Sequence, residues 1–160
     1  NAVAIADHIA GSTEKFAEMM NAEAKKLMAT NSHFVNPSGL HDDNHYTTAY
    51  DLYLIFNECI KHDDFVKIIN SSSYTAHITG ADGTKRDVKW EPTNYYAKGE
   101  ATPPDNVTII GGKTGTTKGA GNCLILLTKD SSGNPYISII MGAGSKPLLY
   151  QDMTSMLSKI

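Results

Sequence analysis

The sequence predicts an α+β fold, helices packed on an antiparallel sheet, from three observations. Apolar residues recur at spacings of three and four through the first half. After Ser71 the pattern changes to short strands separated by Gly, Asp and Pro turns, and a helical stripe returns at the C-terminal end. The 160 residues, 41% hydrophobic and 19% charged, match the size and composition of one folded domain.

Each element has a local reason. Asn1 opens directly into the apolar run Ala2 to Ala6, which reads as a buried helix and suggests that sequence lies upstream. Ala10-Gly11-Ser12 closes that helix, and Ser12 caps a second, with Glu14 in its first turn. Phe16, Met19, Met20, Ala24, Leu27 and Met28 form its apolar stripe. Asn31 to Thr47 is rich in turn residues. A third helix starts near Thr47 or Thr48, with Leu52, Ile55, Phe56, Cys59 and Ile60 facing the core, and Asp63 to Asn70 reads as a short fourth. Tyr74–Thr79 and Arg86–Trp90 flank Asp82-Gly83, a hairpin signature. Pro92 to Asn106 is a long connection of the kind that lies over functional sites. Strands follow at Val107 to Thr116, Cys123 to Thr128 and Tyr136 to Met141. The Asp130–Pro135 turn makes the last two antiparallel, and the unbroken apolar run Leu124–Leu127 predicts a strand covered on both faces. Leu149, Met153, Met156, Leu157 and Ile160 mark a closing helix.

Composition excludes several function classes. The formal charge of -3 comes with no concentrated basic face, which argues against a nucleic-acid partner. No apolar stretch approaches the roughly 18 residues of a membrane helix. Two cysteines, Cys59 and Cys123, cannot build a disulfide scaffold, and their redox state stays open.

Chemistry concentrates in Gly111-Gly112-Lys113-Thr114-Gly115-Thr116-Thr117-Lys118-Gly119-Ala120-Gly121. A phosphate-binding loop would need glycine where Val107 stands, and Gly115, Gly119 and Gly121 would weaken the helix that must follow. The competing reading is Lys-Thr-Gly on a strand, a signature of penicillin-binding proteins and β-lactamases. There Lys113 supplies a fixed positive charge and Thr114 and Thr116 supply compact hydroxyl donors. Gly115 lets a peptide backbone approach an edge strand, and the N–H beyond it can aim at an oxyanion. The tripeptide is expected by chance only about 0.1 times in this composition, whereas about one Ser-x-x-Lys and about 0.8 Ser-x-Asn are expected. Ser12-Thr13-Glu14-Lys15 and Ser132-Gly133-Asn134 fit those two companion patterns, but they read as a helix cap and a hairpin turn. His41, Asp42, Asp43 and His45 are metal-type ligands on a turn, without the i, i+4 helical spacing or a distant third ligand, and read as a solvated loop. No metal and no cofactor is expected. Trp90, Tyr95 and Tyr96 either wall a cleft or pack in the core.

Beyond Lys113–Gly121, further segments recur in one order: Val3-Ala4-Ile5-Ala6-Asp7 with Ile9-Ala10-Gly11-Ser12, Met20-Asn21, Ala24-Lys25, His33 to Leu40, and His45 to Leu52. With them the chain resembles the serine-type D-alanyl-D-alanine carboxypeptidases, the low-molecular-weight penicillin-binding proteins. The resemblance implies a β-lactamase/transpeptidase-like fold, an antiparallel sheet packed between helices. It implies an acyl-transfer enzyme outside the cytoplasmic membrane that removes the terminal D-Ala from peptidoglycan stem peptides and is trapped by β-lactams. Lys113 would be catalytic, and Lys113, Thr114, Gly115 and Thr116 would bind substrate. The nucleophilic Ser, its Lys and the Ser-x-Asn motif are expected upstream of Asn1, so residues 1–160 form part of the catalytic domain, and any membrane contact lies in other segments. Some members hold the substrate carboxylate with an Arg near the last helix. Here that region reads Lys146-Pro147-Leu148-Leu149 and the lone Arg is Arg86, leaving Lys146 or a threonine for the task. The alternatives are a non-catalytic module binding peptidoglycan peptides or β-lactams, and a D,D-endopeptidase or β-lactamase on the same scaffold.

Overall fold

The computed structural model describes all residues from Asn1 to Ile160. Helices α1 (Ala2–Ala10), α2 (Thr13–Lys26), α3 (Ala49–Cys59) and α4 (Asp63–Ile69) come first. A two-stranded hairpin of β1 (Tyr74–Thr79) and β2 (Lys85–Trp90) follows, then a one-turn helix α5 (Tyr95–Lys98). Strands β3 (Val107–Thr117), β4 (Gly121–Asp130) and β5 (Pro135–Ala143) form an antiparallel sheet in the order β3-β4-β5, and α6 (Lys146–Leu157) closes the chain. No helix is long and apolar enough to cross a membrane.

Ser12 caps α2 as expected, Thr48 caps a helix expected to start there, and Ser145 adds a cap to α6 that the sequence reading did not name. Ser12 Oγ accepts from the Lys15 N–H at 3.2 Å, Thr48 Oγ1 from Asp51 N–H at 3.1 Å, and Ser145 Oγ from Leu148 N–H at 3.3 Å. The end of α2 is less ordinary. Met28 takes the left-handed conformation at φ 63, where glycine is usual, and the N–H groups of Met28 and Ala29 close back onto the carbonyls of Lys25 and Ala24. That turn throws the Met28 side chain into solvent, so it leaves the predicted stripe, as does the exposed Met19. Helix α1 departs more. Ala6 is buried, but Val3, Ile5 and Ile9 are each more than half exposed, because within this chain α1 packs chiefly along α2.

The sheet is covered on both faces, as Leu124–Leu127 predicted. Leu124 and Leu126 point to α6 and meet Leu149, Met153 and Leu157, all nearly inaccessible. Each such side chain contributes roughly 1.5–3 kcal/mol of burial. On the opposite face α3 packs on β5 and α4 on β3. The Ile69 carbonyl at the end of α4 lies so close to Gly111 that a Cβ there would sit 2.2 Å from it.

The turn-rich stretch 31–47 is ordered by side chains. Asn21 pairs with both backbone groups of Phe34, donating to its carbonyl at 2.7 Å and accepting from its N–H at 2.8 Å. The fully buried Asp51 accepts from Asn31 N–H and Ser32 Oγ through Oδ2, both at 2.7 Å, while its Oδ1 has no partner.

The connection Pro92–Asn106 also departs from expectation, because it contains α5. Asn94 caps this helix by accepting from Tyr96 N–H at 3.1 Å, and Gly99 ends it at φ 73. Tyr150 of α6 holds it in place. Its ring stacks on Tyr95 with centroids 4.5 Å apart, and its hydroxyl accepts from Tyr95 N–H at 2.9 Å. Tyr96 is therefore a core residue, hydrogen-bonded to Thr154 at 2.8 Å.

Candidate active site

Strand β3 is an edge of its sheet, paired with β4 alone, and it carries Lys113-Thr114-Gly115-Thr116 on its outer half. Gly112, Thr114 and Thr116 pair with Leu126, Leu124 and Asn122 and share the α6 face. Lys113 and Gly115 pair with Ile125 and Cys123 and share the face covered by α3 and α4. A single strand thus presents its cation to one side and its hydroxyls to the other.

The glycines differ in purpose. At Gly111 and Gly112 a Cβ would lie 2.2 Å from the Ile69 carbonyl and 2.1 Å from the Ile125 carbonyl, so close packing demands both. At Gly115 nothing lies nearer than the Cys123 Cβ at 4.0 Å. Internal packing gives no reason for glycine there, and its bare backbone lies open on an unpaired edge, the geometry for a peptide laid alongside.

Two cavities meet at this edge. One, of about 290 Å³, reaches from Lys113 and Thr114 to Trp90, Tyr74 and Ile68. The other, of about 200 Å³, is lined by Thr114, Gly115, Thr116, Tyr95, Tyr150 and Lys146. Thr93 and Thr114 line both, and their hydroxyls are hydrogen-bonded at 2.5 Å. Thr116 Oγ1 donates to Asn122 Oδ1 at 3.3 Å, and the Lys113 ammonium donates to the Thr114 carbonyl. Lys146 Nζ lies 5.8 Å from the Tyr95 ring centroid, an aromatic neighbour that holds the ammonium beside the threonines. Burial, before any other cause, raises the Tyr150 hydroxyl above its usual range, so it remains a neutral acceptor for Tyr95 N–H.

The other candidates fall elsewhere. Ser12 spends its side chain as the α2 cap. Ser132 and Asn134 sit in the β4–β5 turn, both held by the Asp130 carboxylate. That turn abuts Val107, six residues or roughly 20 Å along β3 from Lys113. His41, Asp42, Asp43 and His45 form no group able to hold a metal ion. His41 is 3.5 Å from Asp43 and its ring fills the space where Gly119 lacks a side chain, while His45 Nδ1 accepts from Val35 N–H at 3.2 Å. Trp90 and Tyr95 wall the cavities. Thr93 and Asn94 were not legible as site residues. Their only signal is an Asn before two tyrosines, which reads as a turn until α5 places it against β3. Cys59 and Cys123 are free thiols, and burial raises Cys59.

An antiparallel sheet between helices, with Lys-Thr-Gly on the edge strand beside a cleft, defines a transpeptidase-like acyl-transfer scaffold. Residues 1–145 match the family model described as D-alanyl-D-alanine carboxypeptidase, and the chain belongs to that family. It is similar to the D-alanyl-D-alanine carboxypeptidase DacF of Bacillus subtilis, 30% identical over 160 residues covering 97% of this chain and 37% of the relative. It is also similar to the D-alanyl-D-alanine endopeptidase of Escherichia coli, 29% identical over 94% of this chain and 46% of that protein. Among solved structures, the DD-transpeptidase of Streptomyces K15 superposes with a TM-score of 0.87 at 27% identity, covering 98% of this chain and 60% of that one. This similarity bears out the expected fold class. The chain spans roughly a third to a half of the curated relatives named here.

Proposed function

We propose that the complete protein is a serine D,D-carboxypeptidase of the cell envelope, acting outside the cytoplasmic membrane on peptidoglycan stem peptides ending in D-Ala-D-Ala. Its nucleophilic serine, the activating lysine and the Ser-x-Asn motif lie in sequence upstream of Asn1. The serine Oγ attacks the carbonyl of the penultimate D-Ala, its proton passes to the departing amine, and D-Ala leaves. Water then hydrolyses the resulting ester.

Residues of this chain bind and polarise. The substrate backbone lies along the β3 edge at Gly115. The Thr114 and Thr116 hydroxyls and the Lys146 ammonium, all lining one cavity, grip the terminal carboxylate, with Lys146 in the place of an arginine. Lys113 adds positive charge on the opposite face of the strand, and the Thr116 N–H helps hold the oxyanion. The observation that carries this reading is Gly115, a motif glycine with open space around it on an edge strand.

A fluorescent penicillin incubated with the full-length protein is expected to leave a covalent adduct that survives denaturation. Absence of an adduct under conditions where the protein is folded would sink the enzyme reading and leave the binding-module alternative. An endopeptidase is the second reading, favoured by the similarity to the E. coli endopeptidase. Cleavage of a cross-linked dimer of stem peptides in preference to release of free D-Ala would establish it.

A further inference from the structure

Lys146 stands where its own helix disfavours it. It is the first residue of α6, at the positive end of the helix dipole, and no acidic residue shares that turn. Its ammonium forms no ion pair with any carboxylate of residues 1–160. The side chain is exposed, and a lysine stem is long and flexible. Neither dipole nor ion pair therefore keeps the ammonium in the cavity that holds Thr114 and Thr116.

One group does favour that place. The ammonium lies over the half-buried Tyr95 ring, 5.8 Å from its centroid, and the electron-rich face of a phenol ring attracts a cation. The ring cannot turn away. Tyr150 stacks on it with planes 6° apart, and the Tyr95 N–H donates to the Tyr150 hydroxyl at 2.9 Å. Tyr150 follows Lys146 by four residues, one turn along the same face of α6. The helix that carries the cation thus also carries the residue that locks the ring. A second ammonium, Lys98, lies 5.5 Å from the same centroid, but Glu100 pairs with it. Lys146 is the cation left to meet an anion from outside.

We propose that Tyr95 is a positioning residue whose ring holds the Lys146 ammonium beside the two threonine hydroxyls, and that it thereby sets the preference for peptides ending in a free carboxylate over those ending in an amide. The inference rests on the carboxylate grip proposed above and gives a task to a residue outside the Lys-Thr-Gly strand.

The test is an NMR titration of the full-length protein, isotope-labelled at the lysine Cε, with N-acetyl-D-alanyl-D-alanine and with its C-terminal amide. The Lys146 signal is identified by its loss in Lys146→Arg. In the wild type it is expected to be shifted by the Tyr95 ring and to respond to the acid in preference to the amide. In Tyr95→Leu the ring shift disappears and the acid binds about twofold to fivefold more weakly, the size of one exposed cation–π contact, while Tyr95→Phe behaves as wild type. Tyr95→Leu combined with Lys146→Gln should bind the acid no more weakly than Lys146→Gln alone, because the ring acts through the ammonium. A merely structural role would instead weaken acid and amide alike and add to the Lys146→Gln loss, and thermal melts of each variant report the fold. Equal acid affinity in Tyr95→Leu and wild type, additive losses, or a folded wild type without preference for the acid would overturn the proposal. Binding needs no turnover, so absence of D-Ala release with the preference intact would sink the enzyme reading and leave the role of Tyr95 standing.

Discussion

Thr93 Oγ1 and Thr114 Oγ1 lie 2.5 Å apart, and this one hydrogen bond joins the Pro92–Asn106 connection to the motif strand at the point where the two cavities meet. It fixes the rotamer of a hydroxyl assigned to the substrate carboxylate, and α5 fixes Thr93 in turn through the Tyr95–Tyr150 stack.

Thr93→Val removes that partner while keeping the side-chain shape. Penicillin acylation of the full-length protein is expected to slow about threefold to tenfold, the scale of one hydrogen bond. Thr93→Ser should restore most of the rate, and melting temperatures should change little because Thr93 is exposed. Unchanged acylation in Thr93→Val would remove the bond from the site's working parts.

The two kinds of glycine separate stability from function. Gly111→Ala drives a methyl against the Ile69 carbonyl and is expected to lower stability by about 1–3 kcal/mol in denaturant melts. Gly115→Ala meets nothing closer than 4.0 Å and should melt within about 0.5 kcal/mol of wild type. It should nevertheless slow acylation about tenfold to a hundredfold, because a substrate backbone can no longer reach the strand. The opposite pattern would mean that Gly115 serves packing alone.

Much of this arrangement was legible in the sequence, for identifiable reasons. Asp82-Gly83 forced a hairpin, Leu124–Leu127 a doubly covered strand, and the apolar stripe from Leu149 to Leu157 a helix over it. Lys113–Thr116 was recognisable because three residue types with separate chemical tasks stand side by side. The connection was not legible. A single helical turn such as Tyr95–Lys98 is too short to show a period, and it exists because Tyr150, 55 residues away, stacks on it. The apolar face of α1 is only partly covered within residues 1–160. Periodicity reports a helix with an apolar side, and only tertiary structure says whether anything covers it.

Asp51 is a buried organiser of the 31–47 stretch. Asp51→Ala leaves the Asn31 N–H and the Ser32 hydroxyl without their acceptor. A loss of about 1–3 kcal/mol is expected in thermal or denaturant unfolding. A change within about 0.5 kcal/mol would show that the loop is held by other contacts.

His45 gives the same region an acid limit. Its pKa is lowered, first by burial, then by His33, with Asp42 opposing, and its Nδ1 accepts from Val35 N–H as only an unprotonated nitrogen can. The folded form therefore binds the proton less readily than the unfolded chain. The contribution of neutral His45 is present above the unfolded value near 6.5 and is lost as pH falls from there toward the lowered folded value. The melting temperature should drop between pH 7.5 and pH 5, and His45→Gln should flatten that dependence. An equal drop in the variant would assign the effect to other groups.

The claim that β3 presents Lys113 as part of an acyl-transfer site is tested most directly by D-Ala release. The full-length protein and its Lys113→Ala variant would each be given a synthetic peptide ending in D-Ala-D-Ala, with thermal melts run alongside. Release by the wild type is expected, with kcat/KM reduced about a hundredfold or more in the variant and no matching loss of stability. Equal release by both proteins, or none by a folded wild type, would contradict it.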